Sequence, residues 1–335
     1  MKAVVYTAHG GPENISITTL DDPTPAPGDV LVRVRAVALN GFDPMILKGI
    51  PGLKTPMPHI PGGDIAGEVA GFGAGVEGGR WKRGDRVLVN PYVIGRGMMG
   101  ETARGGACEL VSVPATHLVP IPDNVSFTDA AALPVAYGTA MRMMITRGRV
   151  ARGESVLVLG ASGGVGTCCI QLAKLRGCRA IGVTSSAEKA ARLLAIGADE
   201  VINAGEGDWA KQAVERFGKP RVHGESGGVD VIVNYVGGED WTKAYRALKR
   251  GGRMLTCGAT NGYAPPEDIR YLWSFEYELI GSNGWSQEDL GTLLAMASDG
   301  RMKPVIDSIR PLDDFLTSYA ALADRKVFGK AVLTV

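Results

Sequence analysis

The chain has 335 residues, 45% hydrophobic and 21% charged, an ordinary globular composition in a length that exceeds one hydrophobic core, so two domains are expected. Lys plus Arg (36) and Asp plus Glu (35) nearly cancel, and a net charge of +1 offers no general field for nucleic acid or an anionic membrane. No apolar run reaches the roughly 18 residues of a membrane-spanning helix, and the strand-like start MKAVVYTAHGG lacks the order of a signal peptide, so a cytoplasmic protein is expected.

Residues 1 to about 122 read as short strands between Gly/Pro turns. KAVVYTA, GDVLVRVRAVALN, AGEVAGFG, GDRVLVN and ACELVSVP have strand length and patterning, which predicts a small β-barrel-like domain. From SFTDAAALPVAYGTAMRMMIT the period becomes helical, with Ser126 and Asp129 spaced for a helix start and Pro134 in the first turns or bending the helix. ESVLVLG then opens an alternation of strands and helices that runs through CRAIGVTS, SAEKAARLLAIG, DEVIN, WAKQAVERFG, VDVIVNYVG, DWTKAYRALKRG, GRMLTCGA and YELIGSNG. That rhythm predicts a doubly wound parallel sheet. Two more helices precede a terminal strand, GKAVLTV, which suggests that the C-terminus pairs back onto the first domain. The fold class is α/β, with a β-rich substrate domain over 1–124 and 284–335 and a Rossmann nucleotide domain over 125–283. The five cysteines (Cys108, Cys168, Cys169, Cys178 and Cys257) form no CxxC and read as reduced and structural.

The sharpest motif is Gly160-Ala161-Ser162-Gly163-Gly164-Val165-Gly166, between a buried strand and an amphipathic helix. In the G-x-G-x-x-G spacing Ala161 replaces the first glycine. Gly163 would let backbone N–H groups approach a pyrophosphate at the helix start, and Gly166 would let helix and strand pack closely. An NAD enzyme usually carries Asp or Glu at the end of the second strand. Here Thr184, Ser185 and Ser186 supply hydroxyls, and Lys189 and Arg192 supply positive charge, so the 2′-phosphate of NADPH is favoured. Glu188 is the counter-signal.

Upstream, HIPGGDIAGEV places His59, Asp64 and Glu68 within a short stretch and raises the question of a metal. A catalytic zinc needs about three ligands in fixed geometry. The four histidines (His9, His59, His117 and His223) lie far apart in sequence, with no second His or Cys near Asp64. No metal is expected.

ALNGFDPMILKG (38–49), PGGDIAGEVAGFGAGV (61–76), GDRVLVN (84–90), residues 107–140 and FGKAVLTV (328–335) occur in one order with ASGGVG. In that order the chain resembles the medium-chain dehydrogenase/reductase superfamily, and most the zinc-independent quinone oxidoreductase-like branch. The resemblance implies a GroES-like domain plus a Rossmann domain. Where zinc members place a ligand Cys this chain has Asn40, and where they place His-Glu it has Gly63-Asp64. It also implies NADPH-dependent reduction of quinones or α,β-unsaturated carbonyls and a homodimer or homotetramer pairing around Tyr277–Ser282. Without zinc an alkoxide lacks a Lewis acid, so C=C or quinone reduction fits better than alcohol oxidation.

Asn40 is the first-domain candidate, an amide able to orient nicotinamide or substrate; the competing reading is a turn residue. Asp43 reads as holding its loop, and Tyr92 is a candidate proton donor or an ordinary half-buried Tyr. Thr139, Gly258, Ala259, Ser282 and Asn283 are expected beside the cofactor. Met98, Met99, Met141, Met143 and Met144 read as pocket or core. An alcohol or aldehyde dehydrogenase and a catalytically silent NADPH-binding protein remain the alternatives.

Overall fold

The computed structural model describes residues 1–93 and 95–335. The chain forms two compact units, Met1–Gly138 with Trp285–Val335, and Thr139–Gly284. The second boundary follows Gly284. The first falls after Gly138 rather than after residue 124, because the helix Phe127–Ala131 packs on the strands Asp29–Leu39 and Asp64–Phe72 of the first unit.

In the first unit, seven strands form one sheet. Its path runs Ile306–Pro311, Lys330–Thr334, Asp29–Leu39, Asp64–Phe72, Arg86–Val89 and Leu118–Pro120, and Leu110–Pro114 also pairs with Asp29–Leu39. The terminal strand does return to this unit, antiparallel to Asp29–Leu39. Strand alternation buries Val30, Val32 and Val34 in a core with Ile65, Val87, Val113 and Phe315. Glu68, on the outward face of its strand, pairs with Arg35 of the neighbouring strand at 2.7 Å.

Six parallel strands make the second unit's sheet, in the order Glu200–Asn203, Arg179–Thr184, Ser155–Val158, Val229–Val233, Leu248–Thr256 and Glu278–Gly281. Numbered along the chain this is 3-2-1-4-5-6, the order of a dinucleotide-binding Rossmann sheet. Ligands on such sheets bind beyond the carboxyl ends of the strands, at the crevice between first and fourth.

Two helices differ from their sequence outlines. The segment after Ser126 breaks into Phe127–Ala131 and Pro134–Met141, since Pro134 has no N–H to continue the first helix and suits the first position of the second. A π-helical turn, Arg142–Arg147, follows, with Met143 and Met144 fully buried, so these methionines are core. The helix in DWTKAYRALKRG stops at Ala244, because Leu248–Thr256 already pairs with Val229–Val233 across a register shift. Cys108, Cys168, Cys169 and Cys178 are buried and free, and Cys257 is half-buried. Among the described residues no helix is long and apolar enough to cross a membrane.

Candidate active site

In the first unit, sheet register assembles a buried polar cluster. Ala331 pairs with Leu39, and Ala38 pairs with Asp64, so Lys330, Asn40 and Asp64 meet at the same end of three adjacent strands. Lys330 Nζ donates to Asp64 Oδ2 at 2.8 Å and to Asn40 Oδ1 at 2.5 Å. Asn40 Nδ2 donates to the same Asp64 oxygen at 2.9 Å, and the Val135 N–H donates to Asp64 Oδ1 at 2.7 Å. Lys330 is 2% exposed and Asp64 is 0% exposed. Both carboxylate oxygens are therefore committed, and the ammonium supplies the positive charge that a buried carboxylate requires.

Asp43 forms the layer behind. Its carboxylate accepts the N–H of Asn40 at 2.6 Å and of Gly62 at 3.2 Å, tying the two motif loops together. Burial is the dominant influence on this group and raises its pKa from 3.8 to about 7, against the lowering effect of those two N–H groups and of Lys330.

Asn40 is 6% exposed and is the sequence candidate that the structure brings into this cluster. Tyr92 is 57% exposed on a two-residue strand, Tyr92–Val93, and is not among the cluster's hydrogen-bond partners. His59 is fully buried beside Tyr6, and burial lowers its pKa, keeping it neutral. Among the described residues, no three His, Cys, Asp or Glu side chains gather into a group that could hold a metal. Lys330 escaped sequence reasoning. Its signal was present in VFGKAVLTV, where one Lys stands alone inside an apolar terminal strand.

The second unit carries the dinucleotide candidates. Gly163 caps the helix Gly164–Leu175, and the preceding turn contains Gly160 at φ +63°. A Cβ on Gly166 would lie 2.6 Å from Ala161 Cα and from the Gly160 carbonyl oxygen, so that glycine is required by packing. A Cβ on Gly163 would meet nothing nearer than 3.6 Å, so packing makes no such demand there. Ser162, Gly164 and Val165 are half-buried in the same turn.

Thr184 ends its strand buried, and Ser185 is exposed. Ser186 caps the next helix by accepting the Lys189 N–H, which places Lys189 in the first turn. Gly258 and Ala259 follow the strand Leu248–Thr256, and Ser282 and Asn283 follow Glu278–Gly281. Thr139 is the first residue of this unit. The buried Ser282 Oγ has no hydrogen-bond partner among the described residues, the kind of orphaned polar atom that a ligand at a strand end satisfies. These residues fit a nicotinamide dinucleotide.

Sequence reasoning missed Tyr235. Its hydroxyl donates to the Gly160 carbonyl at 2.7 Å, bridging the fourth strand's end to the glycine turn. Asn234 fixes that loop: its Oδ1 accepts the N–H groups of Val236 and Gly237 at 3.2 and 3.1 Å.

Comparison with known proteins decides the family. Residues 26–123 match the alcohol dehydrogenase GroES-like domain, and residues 164–299 match the zinc-binding dehydrogenase domain. The quinone oxidoreductase of Mus musculus is 32% identical over 322 residues, covering 93% of this chain and 91% of that protein. The protein belongs to the medium-chain dehydrogenase/reductase superfamily. The acryloyl-coenzyme A reductase of Metallosphaera sedula is 29% identical over 360 residues, covering 100% of both chains. A solved NAD-dependent alcohol dehydrogenase is 35% identical, with a TM-score of 0.91 and 100% coverage of both chains. The protein is accordingly an oxidoreductase of a nicotinamide-using superfamily.

The zinc in the domain's name does not fit the residues present. At the positions where the resemblance implies zinc ligands stand Asn40 and Gly63-Asp64, and Asp64 is saturated by Lys330, Asn40 and Val135. A Cβ on Gly63 would lie 2.6 Å from the Met99 carbonyl oxygen, so the backbone here leaves no room for a histidine.

Three outcomes follow from this geometry. Lys330→Met leaves Asp64 buried without its cation and should cost about 3–5 kcal/mol in urea unfolding, part of which the added Asp64→Asn change restores. The raised pKa of Asp43 means that the unfolded chain releases this proton near pH 4 while the folded chain holds it to about pH 7. Its contribution therefore lowers stability as pH rises across that window. Urea midpoints at pH 5 and pH 8 should show this slope in the wild type and a flatter one in Asp43→Asn. Finally, Gly163→Ala should keep stability within about 1 kcal/mol and weaken dinucleotide binding at least about tenfold, whereas Gly166→Ala should impair folding itself.

Proposed function

We propose that the protein reduces a quinone or a C=C bond conjugated to a carbonyl, using NADPH held by the second unit and no metal. The observation that carries this reading is the saturated Asn40–Asp64–Lys330 cluster, in which an ammonium is the built-in cation. The bound nicotinamide would supply the hydride. Hydride delivery to an electron-poor carbon leaves an enolate or hydroquinone oxygen, for which a hydrogen-bond donor suffices. Asn40 supplies one: a single Nδ2 hydrogen engages Asp64, the other has no partner among the described residues, and Lys330 at Oδ1 polarises the amide toward stronger donation. The similarity to quinone oxidoreductase and acryloyl-coenzyme A reductase supports the same reaction class.

NADPH is favoured by Thr184, Ser185, Ser186 and Lys189, at a strand end without a carboxylate. The protein is read as cytoplasmic and as pairing through Glu278–Gly281, an edge strand with a neighbour on one side only. The likeness to an NAD-dependent alcohol dehydrogenase favours a second reading, alcohol oxidation with NAD.

Calorimetric dissociation constants for NADPH and NADH, with turnover of 9,10-phenanthrenequinone and an enone panel, separate the two. The expected result is tighter NADPH binding and turnover that EDTA leaves unchanged. Tighter NADH binding overturns the cofactor assignment, and EDTA-sensitive alcohol oxidation overturns the reaction. Binding without turnover of any substrate would make the protein a silent NADPH binder.

A further inference from the structure

A cavity of about 720 Å³ lies in the second unit, lined by the helices Trp209–Phe217 and Arg270–Phe275 and by Lys219, Pro220 and Val222 between the first helix and the fourth strand. None of the dinucleotide candidates lines it. The volume falls in the range of roughly 300–1,000 Å³ typical of small-molecule sites.

The wall is aromatic. Tyr271 stacks on Tyr245 at 5.4 Å with 13° between planes, and on Phe275 at 5.8 Å with 16°. Tyr277 continues the layer behind Phe275 at 5.4 Å. Tyr245 and Tyr277 are buried, while Tyr271 and Phe275 stay half-buried at the cavity.

The rim is basic. Lys211, Lys219, Arg246 and Arg270 line it with only two acids, Asp208 and Asp268, so four cations less two anions give +2 in a chain whose total is +1. Both acids are committed. Asp208 accepts the N–H groups of Ala210 and Lys211, and Asp268 pairs with Arg270 at 2.7 Å. Lys211, Lys219 and Arg246 have no ionic partner among the described residues. Cations without an ionic partner around one concavity raise the local concentration of anions, and the half-buried edges of Tyr271 and Phe275 offer a planar group apolar surface.

We propose that this cavity is a second nucleotide site, separate from the dinucleotide cradle, that takes a nucleoside diphosphate. The base lies against Tyr271 and Phe275, and the phosphates meet Lys211, Lys219 and Arg246. No bond is made or broken there.

The test is calorimetric titration of the full chain with ADP and with inorganic pyrophosphate, with and without saturating NADPH. The variants are Lys211→Ala/Lys219→Ala/Arg246→Ala and Tyr271→Ala, with circular dichroism confirming that each is folded. With NADPH saturating, the expected result is one ADP per chain, bound with an affinity that weakens as salt rises. Its affinity falls at least about tenfold in the triple variant, and Tyr271→Ala weakens ADP but not pyrophosphate. No binding of ADP to the NADPH-saturated chain, or undiminished affinity there in the triple variant, would overturn the site. Equal affinity for ADP and pyrophosphate would overturn its assignment to a nucleotide.

Discussion

One buried ion pair governs the first unit. Lys330 and Asp64 are both almost wholly removed from water, and neither is tolerable there alone. Their pairing fixes the register of the last strand against Asp29–Leu39. A slip of one residue would turn Lys330 to the other face of the sheet and leave Asp64 without its cation. The same contact sets the orientation of Asn40, whose carbonyl faces the ammonium and whose amide faces the carboxylate. Asp43, behind them, closes the two motif loops through backbone N–H groups. The terminal strand and the motif loops are thus held by one hydrogen-bond network.

The second unit works by backbone. Its glycine turn divides into a position that packing demands, Gly166, and one that packing leaves open, Gly163. The open position is the one where a phosphate would need close approach to N–H groups. Tyr235 holds the turn from the neighbouring strand, and Ser282 leaves a buried hydroxyl unsatisfied at another strand end. In one unit charge is matched within the protein; in the other, polar capacity is left for a ligand.

Much of this was legible before the structure. Strand–helix alternation and the glycine turn sufficed for the parallel sheet, because both are local signals. The return of GKAVLTV to the first unit followed from its strand character. Helix ends were less legible, since Pro134 and the pairing of Leu248–Thr256 cut short segments whose periodicity continues. Asn40 and Asp64 stood out as residues at family positions, but their partner did not. Lys330 lies 266 residues from Asp64, and only the sheet register joins them. Tyr235 was invisible for the same reason: nothing in VNYVG says that its hydroxyl reaches a carbonyl 75 residues earlier. Metal ligation could be argued down from sequence by counting ligands, yet the cation that Asp64 holds is seen only in three dimensions.

Lys330 is the cation that this cluster holds. The most direct measurement is the zinc content of the protein by mass spectrometry after exposure to zinc and dialysis, taken together with NADPH-linked turnover before and after chelator. Far less than one zinc per chain and unchanged turnover are expected. One zinc retained per chain, with turnover lost on its removal, would contradict this.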